Sequence, residues 1–306
     1  MIYDVLAIGN PVYDVIITPL VKSKGRILSG CSVNALLTLR RLGFKKLALV
    51  GSLGKDFMNR FRREIREYGI MNFTIITSME TGGFELIYDD KGNRELHILG
   101  IAGKITQCEI PDEYLNVRYI LLGPILNEID LDLIEYLANS TNAKIFLDPQ
   151  GLTRVIKRGK IEHVCNRDHM RKIAKMVHYI KPNEIESWTI TGIKDPFDSV
   201  KELVSWGAEV GIVTLAERGS VVYNGEHFYK IPAYKTTAID PTGAGDVYAG
   251  AFIAKMLEGR DILTACLYAS AVASIKVEYC GPEFPVTKKE VERRYKVLAR
   301  KNAEEV

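Results

Sequence analysis

The sequence predicts an α/β fold in which a wound, mostly parallel sheet has helices on both faces and carries a small β lid. Three observations predict it. Apolar runs of strand length alternate with amphipathic runs of helix length along most of the chain, which is the pattern of parallel strands joined by crossover helices. Hydrophobic residues make up 47% of 306, enough for one large domain spanning 1–306 with a sizeable core. Two stretches, 12–28 and 73–104, break the alternation. The second reads as consecutive strands with turns at Thr81-Gly82-Gly83 and Asp90-Lys91-Gly92-Asn93, so antiparallel strands inserted beside the wound sheet are expected to form a lid.

In chain order, Tyr3 to Ile8 is a continuous apolar run and reads as the first buried strand. Val33 to Leu42 has helical spacing, Leu47 to Val50 is the next strand, and Phe57 to Tyr68 is an amphipathic helix. Beyond the second interruption come a strand at Ile120 to Leu122, a helix at Leu131 to Ala138 and a strand at Ile145 to Leu147. A strand at Met176 to Ile180 precedes helices at Ile185 to Thr191 and Val200 to Trp206, and Val210 to Leu215 closes the strand series. Helices at Asp246 to Glu258, Ile262 to Val277 and Lys288 to Lys301 complete the chain. Ligands of such a sheet lie at the carboxyl ends of its strands.

Charge and cysteine usage exclude several functions. With 41 basic and 38 acidic side chains the net charge is only +3, and the signs are interspersed, which gives no nucleic-acid surface. Arg60, Arg62, Arg63 and Arg66 alternate with Glu64 and Glu67 and read as a solvated helix face. The cysteines at 31, 108, 165, 266 and 280 form no C-x-x-C pair, and their odd number argues against a disulfide framework. No apolar run approaches the ~20 residues of a membrane span, and no charged stretch precedes the first apolar run as in a signal peptide. A cytoplasmic protein without a membrane partner is expected. His163, Cys165 and His169 lack a fourth zinc ligand and a zinc spacing, so they read as surface polar residues.

The chemistry concentrates at Ala238 to Phe252, A-I-D-P-T-G-A-G-D-V-Y-A-G-A-F. Asp240, Pro241 and Thr242 make a turn, Gly243, Ala244 and Gly245 let backbone approach a ligand, and Val247, Ala251, Ala254 and Leu257 recur at helical spacing. A glycine-rich turn opening a helix presents free N–H groups and the positive dipole end to an anion. Asp246 stands beside that anion, where a carboxylate suits a base removing a proton from an attacking hydroxyl.

D-P-T-G-A-G-D resembles the carboxy-terminal signature of the ribokinase (PfkB-type) family of carbohydrate kinases, usually D-[TS]-x-G-A-G-D, with Pro241 in place of Thr or Ser. The resemblance implies a ribokinase-like fold with a β lid that closes over the substrate. It also implies Asp246 as catalytic base, with the Gly243, Ala244, Gly245 and Asp246 amides holding the transferring phosphoryl group.

Other stretches carry the resemblance in family order. Gly9-Asn10-Pro11-Val12-Tyr13-Asp14 follows the first strand, and the two acceptor oxygens of Asp14 suit neighbouring hydroxyls of a polyol. Ser29-Gly30-Cys31-Ser32-Val33-Asn34-Ala35 is similar to G-G-x-x-x-N-x-A, implying substrate contact by Gly30 and Asn34. Val50-Gly51-Ser52-Leu53-Gly54-Lys55-Asp56 matches V-G-x-x-G-x-D and reads as structural, since its spacing is not that of a P-loop. Asp148-Pro149-Gln150-Gly151-Leu152-Thr153-Arg154 resembles the inositol-kinase branch more than ribokinase proper and implies Arg154 near the transferred phosphate or the substrate, where its planar fork suits phosphate oxygens. Asn183 and Glu186 fit a capping box and also the family's N-x-x-E, which implies Asn183 on the nucleotide and Glu186 on Mg²⁺ through water. Thr214 and Gly219 resemble the nucleotide turn T-x-G-x-x-G with Ala216 for its first Gly. Thr242 and Gly281 complete the nucleotide side.

The implied activity is an ATP-dependent, Mg²⁺-requiring kinase acting on a small sugar or polyol, myo-inositol being one candidate, in a monomer or homodimer. Two rivals remain open. A nucleoside kinase needs apolar or aromatic lid residues around a base, which Tyr13, Phe84, Tyr88 and Ile98 would supply. A nucleotide-binding regulator that has lost catalysis is the other.

Overall fold

The computed structural model describes residues 2–90 and 92–304. Strand β1 (Tyr3–Ile8) runs into β2 (Val12–Ile17) and β3 (Ile27–Ser29), then α1 (Cys31–Arg41), β4 (Leu47–Gly54), α2 (Lys55–Glu67) and β5 (Asn72–Ser78). After β6 (Gly83–Tyr88) and β7 (Arg94–Gly100) come β8 (Val117–Leu122), α3 (Leu131–Ser140), β9 (Lys144–Leu147), β10 (Arg154–Lys157), β11 (Lys160–His163), α4 (Arg167–Ala174) and β12 (Tyr179–Ile180). The remainder is α5 (Glu184–Thr191), α6 (Pro196–Ser205), β13 (Val210–Thr214), β14 (Ser220–Tyr223), β15 (Phe228–Ile231), α7 (Ala244–Leu257), α8 (Ile262–Lys276) and α9 (Lys288–Glu304).

The large sheet has the order β15-β14-β13-β12-β9-β8-β1-β4-β5, parallel from β13 through β5 and antiparallel at β14 and β15. Its central strands are apolar on both sides because both faces are covered; all eight residues of β4 are buried. One core layer joins the sheet to α1, α2, α7, α8 and α9, the other to α3 through α6. Helix α7 is anchored by Phe252, whose ring lies 5.7 Å from Phe146 and 5.3 Å from Tyr179 of the sheet. It meets α1 at Gly250, where a Cβ would come within 2.5 Å of the Ala35 carbonyl oxygen. A glycine is required for that approach, and the approach brings the first turns of α1 and α7 together.

A second sheet has the order β3-β2-β6-β7. It is mixed: β2 pairs parallel with β6, the other two pairs being antiparallel. The expected lid boundary at residue 73 is corrected, because 72–78 is β5, paired in parallel along β4 at the edge of the large sheet. That edge strand is only half-buried along its length, so its pattern matches that of a lid strand. Of the two turns expected around the small sheet, the second includes Lys91, which lies outside the described residues. Thr81 ties the first down: its hydroxyl donates to Asp56 at 2.6 Å and accepts from the Gly54 amide at 3.1 Å, so V-G-S-L-G-K-D is structural as read.

Two other expectations need correction. Arg60 and Glu64 do not face solvent alone; they carry the base of the small sheet. The Arg60 guanidinium lies 4.8 Å from the Tyr13 ring and donates to the Arg26 carbonyl, while Tyr13 Oη donates to Glu64 at 2.7 Å. His163 is only partly at the surface, because Nδ1 is buried, and burial together with Arg154 and Arg94 lowers its pKa to about 4. Among the described residues no helix is long and apolar enough to cross a membrane, and all five cysteines are free.

Candidate active site

The anion turn is built before it is used. Gly243 caps α7 with φ +77°, and a Cβ on it would come 2.8 Å from Asn34 Nδ2, so glycine is needed for conformation and space alike. Asp240, wholly buried, holds the turn: Oδ1 accepts from the Thr242 amide at 2.8 Å, and Oδ2 from the Gly281 amide at 2.9 Å and Lys276 Nζ at 3.1 Å. Lys276 Nζ also donates to the Asp240 and Tyr279 carbonyls, at 3.0 and 3.1 Å. The Ala244 amide donates to Pro241 O at 3.2 Å and so closes the turn instead of facing a ligand. Among the described residues the Gly243, Gly245 and Asp246 amides have no such backbone partner, and they point where a helix start attracts phosphate.

Asp246 follows in the first turn of α7. Asn34 Nδ2 donates to its Oδ2 at 2.9 Å, so α1 holds the carboxylate directly. Cys31 Sγ, an Asp148 oxygen and an Asp246 oxygen lie within 4.8 Å of one another, and Lys181 Nζ sits 2.7 Å from Asp148 Oδ2. Burial, then the Asp148 charge, raises the Asp246 pKa above the ordinary carboxylate value, with Asn34 and Lys181 opposing. Burial works against the Lys181 ammonium, but Asp148 outweighs it and keeps it protonated. The result is a carboxylate made more basic beside a fixed cation, which is what a general base for phosphoryl transfer requires.

At the next strand end, Asn183 caps α5 and Glu186 answers it: Glu186 N donates to Asn183 Oδ1 and Asn183 N to Glu186 Oε2, both at 2.9 Å. Burial, then the Asp148 charge, raises the Glu186 pKa. The buried Glu186 and Asp148 carboxylates, which feel each other's charge, fit Mg²⁺, a hard cation that takes oxygen ligands and keeps its waters; the cluster with Cys31 does not, because thiolate is a soft ligand. Thr214 lies beside Asn183 through a parallel bridge, its amide donating to Pro182 O at 3.1 Å. Ala216 takes φ +52° where the family motif has glycine, and Gly219 at φ +91° leaves no room for a Cβ, which would fall 1.9 Å from Ile231 O. Gly281 belongs to the Asp240 brace.

On the other side, Asp14 is buried where β2 meets β6 and accepts from the Phe84 amide at 2.8 Å. Burial pushes its pKa up to about 6 against the Phe84 and Ser29 hydrogen bonds and the charges of Arg154 and Arg26. Gly30, at φ +115°, lets the chain pass 2.8 Å from Asn10 O measured to a virtual Cβ. Arg154 is buried, donating from Nη1 to Ile125 O at 3.1 Å and from Nη2 to Gln150 Oε1 at 2.8 Å; its Nε is buried without a partner. Phe84 and Ile98 are a cross-strand pair in an apolar cluster with Val12, Ile16 and Ile125. Tyr13 points away, its ring packed on Phe57 at 4.3 Å, and Tyr88 Oη bonds Thr242 Oγ1 at 3.0 Å.

The fold therefore brings Asp246, the anion turn, Asn34, Glu186 and Arg154 together, with Asp14 and Gly30 on one side and Asn183, Thr214 and Gly219 on the other. Lys181, Cys31 and Arg94 are the residues that sequence reasoning missed, and Tyr88, expected beside a base, instead bonds the anion turn at Thr242. Lys181 stands two residues before Asn183, so its position carried a signal; Arg94 lies in no motif.

Comparison with known proteins gives a consistent result. The model of the pfkB family of carbohydrate kinases matches residues 5–289. A cytidine kinase of Thermococcus kodakarensis is 29% identical over 262 residues, covering 85% of this chain and 90% of that protein. A ribokinase of Lactococcus lactis is 26% identical over 277 residues, with 88% and 86% covered. Among solved structures, a pyrophosphate-dependent kinase in the ribokinase family, complexed with a pyrophosphate analogue and myo-inositol, superposes with a TM-score of 0.81 at 23% identity, covering 94% of this chain and 99% of the other. That likeness shows the ribokinase-like fold.

Proposed function

The chain belongs to the pfkB family of carbohydrate kinases, and from that membership we propose that it transfers the γ-phosphoryl group of ATP to a hydroxyl of a nucleoside. The observation that carries the chemistry is Asp246, hydrogen-bonded by Asn34, at the head of a helix whose first amides lack backbone partners among the described residues. The nucleoside class is supported by the apolar Phe84–Ile98 pair beside Asp14: a carboxylate for ribose hydroxyls next to an apolar wall for a base. The relative that acts on cytidine, by its name, agrees with this. A second reading, a free sugar or polyol such as myo-inositol, is favoured by the Gln150–Arg154 contact within D-P-Q-G-L-T-R, which is the inositol-kinase-like form of that motif.

In the mechanism, Asp14 and Gly30 orient the acceptor. Asp246 takes the proton of its hydroxyl, the oxygen bonds to the γ-phosphorus, and the bond to the β,γ-bridging oxygen breaks with its electron pair leaving on ADP. The Gly243, Gly245 and Asp246 amides and Lys181 stabilise charge on the phosphoryl group in flight. Thr214, Gly219 and Thr242 line the nucleotide. Mg²⁺, held by Glu186 and Asn183 through water, would neutralise the donor phosphates.

The test is ATP consumption with Mg²⁺ across cytidine, adenosine, myo-inositol, ribose, fructose and fructose 6-phosphate. Turnover with a nucleoside is expected, and Asp246→Asn is expected to lower kcat by at least about a thousandfold with ATP affinity within about threefold of wild type. Turnover of myo-inositol or a free sugar alone moves the acceptor to the second reading. Near-normal turnover in Asp246→Asn removes the base, and binding of ATP without turnover of any acceptor favours a silent regulator.

A further inference from the structure

Two guanidinium groups lie on the lid side of the site. Arg94 opens β7 opposite Tyr88 of β6, so their side chains share a face of the small sheet. That face is the one turned to the anion turn, since Tyr88 Oη bonds Thr242 Oγ1 at 3.0 Å. Arg94 keeps exposed surface, and Tyr88, Glu186 and Asp246 are the groups that act on its guanidinium. Arg154, the second cation, is lowered by burial and then by Arg94 itself. Among the described residues neither guanidinium forms an ion pair, and Arg154 Nε is buried with no partner. Two facing cations and an unused, buried donor lack an anion, and the catalytic carboxylate Asp246 lies beside that gap.

We propose that Arg94 is a catalytic residue carried by the lid: with Arg154 it brackets the phosphoryl group in transit on the side opposite the Gly243–Asp246 amides. The inference rests on the phosphotransfer reading above. Lid closure, fixed by Tyr88 on Thr242, delivers Arg94 to the site, so the full charge complement assembles only over a bound acceptor. Arg94 exchanges no proton; its fork stabilises charge on the equatorial oxygens while the base and the leaving oxygen act as written. This separates it from Lys181, which is held at 2.7 Å by Asp148 and stands on the large sheet instead of the lid.

The experiment is calorimetric binding of ADP with Mg²⁺ and cytidine, with and without aluminium fluoride as a mimic of the phosphoryl group in flight, for wild type, Arg94→Ala and Arg94→Lys. Wild type is expected to bind at least about tenfold more tightly with aluminium fluoride; Arg94→Ala should lose that gain and Arg94→Lys keep part of it, with ADP alone within about twofold in all three. In turnover assays Arg94→Ala should lower kcat roughly a hundredfold, the size of loss seen when one transition-state donor is removed. An undiminished gain in Arg94→Ala overturns the proposal and leaves the phosphotransfer reading standing. Absence of any gain in wild type, with cytidine and again with myo-inositol in its place, overturns both.

Discussion

Asp14 shows how a single buried carboxylate ties acceptor recognition to pH. Its pKa of about 6 in the fold, against an ordinary 3.8, means that between about pH 4 and pH 6 the folded chain holds a proton that the unfolded chain has released. Stability from this residue is therefore present below that window and falls as pH rises through it. Acceptor binding runs the other way, because only the ionised carboxylate accepts from two hydroxyls. We predict that kcat/KM for the acceptor declines as pH falls below about 6, and that Asp14→Asn raises the acceptor KM about tenfold to a hundredfold while flattening that limb, since a hydrogen bond to a charged group contributes about 1.5–3 kcal/mol. A limb unchanged in Asp14→Asn assigns the titration elsewhere. Asp14 and Asp246 stood out in the sequence because each ends a local motif, Gly9 to Asp14 and Asp240 to Asp246. Arg94 and Cys31 were not, because their place in the cleft is set by partners 152 and 215 residues away in number, and no local spacing encodes that.

At the scale of elements, the buried strands and α7 were legible because continuous apolar runs and small-residue helical spacing reflect burial on both faces. The hairpins β10–β11 and β14–β15 were not: their strands have four residues each and mixed exposure, too short to show a period. Edge strand β5 was read as lid because what distinguishes it is its partner, β4, and not its own sequence. The join of α8 to the anion turn was equally hidden, since it rests on the buried Lys276–Asp240 pair. Burial, opposed by Asp240, lowers the Lys276 pKa, and removing the cation strands a carboxylate that two amides still hold. Lys276→Met should therefore destabilise the chain by about 3–5 kcal/mol and slow turnover through a loosened turn. Asp240→Asn combined with it should restore part of the stability, because the uncompensated charge is gone. Denaturant unfolding of the single and double variants measures this; equal stability of the two would show that charge is not the reason.

Across the whole molecule, the two sheets differ in how much holds them. The large sheet is packed on both faces by helices and owns both major core layers. The small one has a compact cluster of Val12, Ile16, Cys31, Phe84, Leu86, Tyr88 and Ile125, together with polar ties at Thr81–Asp56, Tyr13–Glu64 and Tyr88–Thr242. Elements with few buried contacts open at lower free energy than the global unfolding, and a cover that must admit an acceptor and release a product has to come from that end of the range. The backbone amides of β6 and β7 are thus predicted to exchange with solvent at least about tenfold faster than those of β1, β8 and β9, and to slow when ADP and cytidine are added together. Tyr88→Phe deletes the tie to the anion turn together with the hydroxyl contact to Arg94, so it should raise exchange in β6 and β7 of the liganded protein without changing β1 or β8. Hydrogen–deuterium exchange read by mass spectrometry separates the cases. Protection of β6 and β7 equal to that of β1 with no ligand present would mean that the small sheet is a fixed wall, and that acceptors enter by another route.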